Sequence, residues 1–96
     1  MRPSIALWGN RKAVREIVLK HRVSAVRVFG SVIHGCDTEE SDLDLLVFPT
    51  EKTTLFDLAR IKRGLETLLG VSVDVLTPNA LPDSFRSQVL AEAQEV

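Results

Sequence analysis

The chain is expected to fold as an α/β (α+β) sandwich, a small mixed β-sheet flanked by helices. Three observations lead to that class. Two apolar runs, "AVRVF" and "LDLLVF", are strand-like in length and are separated by a Gly-Ser break and an acidic loop. A stretch with leucine and isoleucine at helical spacing follows them, from Leu55 to Leu69. A third short run, "SVDVL", then precedes a proline-marked segment with its own helical pattern. The order helix, strand, strand, helix, strand, helix suits a sheet covered by helices, not a helical bundle or an all-β barrel.

Each element has a local reason. After an N-terminal lead-in, Asn10 is placed to cap a helix running to about His21. Val14, Ile17 and Val18 line its dry side, and Arg11, Lys12, Arg15 and Lys20 its wet side. Ala25 to Phe29 reads as a strand with Val26 and Val28 on one face, ended by Gly30-Ser31, after which one short helical turn is possible. Leu43 to Phe48 reads as the second strand, and Pro49 stops its ladder. Thr54 with Asp57 three residues on forms a loose capping box for the long helix. Its buried stripe is expected from Leu55, Leu58, Ile61, Leu65, Leu68 and Leu69, and Gly70 terminates it. Ser72 to Leu76 is the third strand. A last helix, about Pro82 to Ala93, is expected to bury Phe85, Val89 and Leu90, and Trp8 to pack the N-terminal segment onto the core.

At 96 residues the sequence is read as a single domain spanning residues 1–96, burying roughly 65% of its unfolded surface. Net charge is −1, so no overall basic field is available to hold a nucleic-acid backbone, and direct nucleic-acid binding is not expected. The charges are unevenly spread. Residues 1–36 carry seven basic side chains against one acid, Glu16, whereas residues 37–51 carry six acids and no base. Such an acidic patch suits a metal site better than a nucleic-acid groove. The single cysteine, Cys36, excludes an internal disulfide and fits a reducing cytoplasm. No apolar run approaches the roughly 20 residues of a membrane span.

Within the acidic patch, Asp42 and Asp44 are two residues apart and so share a strand face, while Leu43 and Leu45 take the other. Two carboxylates there repel each other and raise each other's pKa. A divalent cation removes the conflict, and Mg²⁺ commonly binds one or two carboxylates together with substrate phosphates. Asp74, set between Val73 and Val75, is costly to bury unpaired. Beside Asp42 and Asp44 it completes a cluster able to hold two metal ions roughly 3.5–4 Å apart, as in nucleotidyl transfer. Gly30 allows a sharp turn with positive φ, a short helix beginning near Ser31 would present N–H groups and a hydroxyl to phosphate, and Gly35 closes the loop with room for close backbone approach. Arg27, alternating away from Val26 and Val28, is expected to face solvent, with a reach into the phosphate pocket as the alternative.

The run "FGSVIHGCDTEESDLDLLVF" followed by "VDVL" resembles the DNA polymerase β-like nucleotidyltransferase superfamily, and the short chain resembles its minimal members, the MNT-type antitoxins. The resemblance implies a polymerase β-like core in which Gly30 and Ser31, with Gly35 closing the loop, bind the triphosphate of ATP. Asp42 and Asp44 would hold both Mg²⁺ ions, and Asp74 would ligate one and help activate the acceptor hydroxyl. Where relatives commonly carry a small residue and then Arg or Lys, this chain has Ile33 and His34, which leaves His34 a hydrogen-bond donor or a structural residue. The resemblance further implies an antitoxin that AMPylates and neutralises a HEPN-type RNase toxin encoded beside it. A catalytically weak antitoxin acting by binding alone is the alternative, and a small-molecule acceptor a third. The chain contains no tyrosine, so a tyrosine acceptor has to come from another molecule.

Overall fold

The computed structural model describes all 96 residues. Helices α1 (Pro3–Gly9) and α2 (Arg11–Leu19) lead into β1 (Val23–Phe29), which ends in a 3-10 turn over Gly30–Val32. Then come β2 (Leu43–Pro49), α3 (Leu55–Leu69), β3 (Val73–Leu76), a 3-10 turn over Pro78–Ala80, α4 (Asp83–Glu92) and the two-residue β4 (Gln94–Glu95). The four strands lie in the order β3-β2-β1-β4. The β2–β3 pair is parallel, whereas β1 runs antiparallel to both β2 and β4. The sheet is therefore mixed, as the sequence predicts.

Strand alternation divides the apolar residues between two faces. Val26, Val28, Leu43, Leu45, Val47 and Val73 join Val14, Val18, Ile61 and Leu65 in the main core, on the side of α2 and α3. Phe29, Leu46 and Leu81 form a smaller cluster on the opposite face, with Val89 and Leu90 of α4 packed against it. This second face is the one that carries Asp44 and Asp74.

Helix α3 follows its local signals closely. Thr54 and Asp57 make both halves of the capping box, and Gly70 ends the helix at φ 69°. Its stripe is narrower than the leucine count suggests. Ile61, Leu65 and Leu69 are buried, whereas Leu55 is 82% exposed, Phe56 beside it 74%, and Leu68 is also exposed. Within the first turn Leu58 packs against the core, while Leu55 and Phe56 stay in solvent.

The N-terminal lead-in is a helix in its own right. Pro3 occupies its first turn, and Ala6 and Leu7 fill the core position expected of Trp8. Trp8 is instead exposed, with the Arg11 guanidinium 5.4 Å from its ring centroid. Arg2, at the N-cap, gives no side-chain cap. The cap comes from Asp37, whose Oδ2 accepts the Ser4 N–H at 2.9 Å. A cap contributed from 33 residues away leaves no trace in the local pattern.

Helix α4 is held at its start by Arg86. Its guanidinium donates to the carbonyls of Pro78 at 2.8 Å and Leu81 at 2.7 Å, and to Asp83 at 2.6 Å. Because α4 buries no residue fully, these bonds add to the partial packing of Val89 and Leu90. Phe85, expected inside, is 43% exposed. Replacing Arg86 by alanine is expected to cost about 1–3 kcal/mol and to speed amide exchange in α4 first. Thermal unfolding with residue-level exchange measures both.

Candidate active site

The pairing register builds the site. Asp44 on β2 lies opposite Phe29, the last residue of β1, and opposite Asp74 on β3. Asp42 sits one residue before β2, at the mouth of the same face. The sheet thus brings Gly30, Asp44, Asp74 and Asp42 to one end, although Asp44 and Asp74 are 30 residues apart in sequence. Parallel pairing of β2 with β3 is what aligns them.

The electrostatics agree with that placement. Asp44 is half-buried, and its pKa is raised from 3.8 to about 6, first by burial and then by the charges of Asp74 and Asp42. The charges of both Asp42 and Asp74 therefore reach Asp44. They do not close into a ready-made cage, since no three acidic, histidine or cysteine side chains are gathered closely enough to hold an ion. Their donor chemistry nonetheless fits a hard divalent cation: three anionic oxygen ligands on one face, with a repulsion that such a cation would cancel.

Gly30 is required twice. Its φ is 77°, and a Cβ at this position would collide with Asp44 Oδ2 and lie 3.2 Å from its Cγ. The turn thus leaves this carboxylate directly against bare backbone. Ser31 follows, partly buried in the 3-10 turn. Gly35 adopts φ 69°, but a Cβ there would meet nothing within 4 Å, so within the chain it serves the turn and not a close approach. Short-range bonds close the loop, with Cys36 N–H donating to Ser31 O at 3.0 Å and His34 N–H to Gly30 O at 3.2 Å.

Several residues take parts that local patterns do not announce. His34 Nε2 lies 2.8 Å from Glu92 Oε2, which bridges the loop to α4. That bond, with a second from Gln88, holds the Glu92 carboxyl below its ordinary range. A cleft of about 300 Å³ opens there, lined by Phe29, Gly30, His34, Phe85, Gln88, Val89 and Glu92. Arg27, expected in solvent, lies against the Phe48 ring at 5.2 Å, and its Nε is buried without a partner. The neighbouring aromatic offers more contact than water along that edge. Asp37, counted within the acidic patch, turns away from the three aspartates to cap α1.

The titrations pull stability in opposite directions. Asp44, raised in the fold, contributes stability that is complete below pH 3.8 and lost as pH rises through about 6. Asp37 and Asp57 are lowered, chiefly by backbone bonds from Ser4 and Thr54 respectively. Their contribution is present above pH 3.8 and lost as pH falls through their folded values. Denaturation of the chelator-treated protein between pH 3 and 8 is expected to show maximal stability at roughly pH 4, with a decline as pH rises through about 6. A steady rise to pH 8 would contradict the assigned Asp44 environment.

Comparisons with known proteins point the same way. Two relatives come from archaea. One, provisionally named a protein adenylyltransferase in Methanocaldococcus jannaschii, is 40% identical over 90% of this chain and 92% of its own length. The protein adenylyltransferase MntA of Thermococcus cleftensis is 34% identical over 90% and 84%. A solved structure provisionally named a minimal nucleotidyltransferase superposes with a TM-score of 0.86 at 46% identity, covering 97% of this chain and 95% of that one. The fold is also shared, at 14% identity and a TM-score of 0.65, with a complex of an MNT antitoxin and the tri-AMPylated HEPN toxin of Shewanella oneidensis, covering 94% and 70%. The sequence profile described as "Polymerase beta, Nucleotidyltransferase" matches residues 12–96. With the polymerase β-like core, the carboxylate face and that match together, the chain belongs to the polymerase beta family of nucleotidyltransferases.

Proposed function

We propose that this protein is an Mg²⁺-dependent protein adenylyltransferase that transfers AMP from ATP to a hydroxyl of a HEPN-type toxin and so neutralises it. The observation that supports this most is the register that sets Asp44 between Phe29-Gly30 and Asp74. It puts bare backbone directly against paired carboxylates, an arrangement with little structural use. The relatives' names supply the transfer to protein, and the shared fold of the antitoxin–toxin complex supplies the class of partner.

Asp42, Asp44 and Asp74 would hold Mg²⁺, which when bound neutralises phosphate charge and lowers the barrier to displacement. The chain's own groups do the rest. The Gly30 backbone lets the triphosphate approach closely, and the Ser31 hydroxyl donates a hydrogen bond to it. Asp74 takes the proton from the acceptor hydroxyl. The acceptor oxygen then bonds to the α-phosphorus, the bond to pyrophosphate breaks, and pyrophosphate leaves. Since this chain has no tyrosine, a tyrosine acceptor would be in trans, as a toxin side chain is. The exposed free Cys36 suits a reducing cytoplasm as the site of action.

Intact-mass spectrometry of the neighbouring-gene product, after incubation with this protein, Mg²⁺ and ATP, tests the proposal. An AMP-sized gain that an Asp42→Ala/Asp44→Ala variant abolishes supports it. Co-elution of the two proteins with no mass gain overturns the transfer and leaves neutralisation by binding.

A further inference from the structure

The arc from Gly30 to Asp42 carries both halves of the site, yet nearly all its hydrogen bonds are local. Cys36 bonds back to Ser31, and Gly35 N–H to Val32 O. Thr38 to Ser41 is a closed turn, with Thr38 N–H donating to Ser41 Oγ at 2.8 Å and Ser41 N–H to Thr38 O at 3.1 Å. Such bonds stiffen each piece without fixing it relative to the sheet. Two side chains of the arc reach further. One is His34, whose Nε2 lies 2.8 Å from Glu92 Oε2 on α4. The other, between the turns, is Asp37, only 4% exposed amid exposed neighbours. Its Oδ2 accepts the Ser4 N–H at 2.9 Å, its Oδ1 accepts from Arg2 at 3.4 Å, and its carbonyl accepts from Arg2 Nε at 3.1 Å. Helix α1, seated in the core through Ala6 and Leu7, is the fixed end of this tether.

We propose that Asp37 is a positioning residue for nucleotidyl transfer, tying the Asp42-bearing loop to helix α1 so that Asp42 is held at the mouth of the carboxylate face. The inference rests on the functional reading above for its consequence, and on the hydrogen bonds alone for its cause. On its far side Asp42 is held by β2, where Leu43 N–H donates to Ser72 O at 2.8 Å. On its near side the closed 38–41 turn leads straight back to Asp37, so freedom at Asp37 passes to that carboxylate from this side. Gly30 and Ser31 sit at the other end, directly on β1, and do not depend on the tether. Loss of the tether therefore affects turnover more than nucleotide binding. A misplacement of about 1 Å at a reacting group can cost on the order of a hundredfold in rate.

The test compares Asp37→Ala, Asp37→Asn and Arg2→Ala with wild type. Asp37→Ala is expected to lower kcat by roughly 10- to 100-fold while KM for ATP stays within about threefold. Asp37→Asn keeps an acceptor for the Ser4 N–H and recovers part of the loss. Arg2→Ala removes the weaker arm and has the smallest effect. Val14→Ala, a core truncation on α2 away from the loop, is the control: a similar fall in Tm leaves kcat close to wild type. Hydrogen exchange of residues 36–42 rises in the Asp37 variants. Asp37→Ala with kcat within twofold of wild type overturns the proposal, whatever its Tm. Should Asp37→Ala fail to fold, unchanged kcat in both Asp37→Asn and Arg2→Ala does so. If wild type itself transfers no AMP, the functional reading fails separately. Exchange then decides the tether: unchanged protection of residues 36–42 overturns it, and lost protection supports it.

Discussion

Asp44→Asn is expected to abolish nucleotidyl transfer and, in the absence of Mg²⁺, to raise the melting temperature. Both effects have one cause. The Asp44 carboxyl is held up to about 6 by burial and by the charges of Asp74 and Asp42, so at pH 7.5 its ionised form strains the fold. Raising an acid from 3.8 to about 6 corresponds to roughly 3 kcal/mol. The group is only half-buried, and solvent screening brings the expected gain down to on the order of 1–2 kcal/mol. For a chain of this size that is a rise in Tm of roughly 4–16 °C. Activity moves the other way. Losing a charged oxygen ligand at the reacting phosphate is expected to cost at least about a thousandfold in kcat. Thermal unfolding in chelator, beside the mass-spectrometric transfer assay, reads both quantities. A variant that melts lower and still transfers AMP would make Asp44 a structural acid.

Gly30→Ala is expected to be nearly as damaging to activity through a different route. At φ 77° an alanine costs roughly 1–2 kcal/mol from backbone sterics alone. Its Cβ would also collide with Asp44 Oδ2, closer than any non-bonded pair tolerates. Asp44 is the softer partner, because the colliding atom is the free end of a side chain. The chain is therefore expected to stay folded, with a stability loss of about 1–3 kcal/mol, while the carboxylate is pushed out of place and transfer is lost. A double-mutant cycle with Asp44→Ala checks the argument. Removing the carboxylate makes room for the new methyl, so Gly30→Ala should cost less in that background. Equal costs in both backgrounds would show that the φ requirement alone governs the site.

These two expectations rest on features of unequal legibility. The positive φ of Gly30 and the shared face of Asp42 and Asp44 can be read from the sequence, since a turn glycine and strand alternation are local properties. The contact between Gly30 and Asp44 cannot, because it depends on β1 meeting β2 in the register that sets Phe29 opposite Asp44. The same holds for Asp74. Its setting between two valines marks it as unusual, but only the parallel β2–β3 register makes it the neighbour of Asp44.

The misplaced residues follow the same division. Leu55 and Leu68 have the right spacing for a buried stripe, yet both are exposed, because burial depends on what packs against each position of α3 and not on spacing alone. Helix α1 escapes the local pattern because its cap is Asp37, and β4 because two residues gain strand geometry only from the free edge of β1. The His34–Glu92 bridge joins residues 58 apart.

By itself, then, the sequence determined the ends of α3 through the Thr54–Asp57 box and Gly70, the turn at Gly30, the two-faced pattern of β2 and the presence of three suspect aspartates. The physical reason is range: caps, turns and periodicity are decided by atoms within about four residues of one another. Tertiary structure decided which strand end meets which, that Asp37 braces the loop instead of joining the carboxylates, and that Asp44 bears the repulsion of both its neighbours. Those outcomes turn on pairing register and helix placement, which are settled by the packing of the whole core and by no single stretch of the chain.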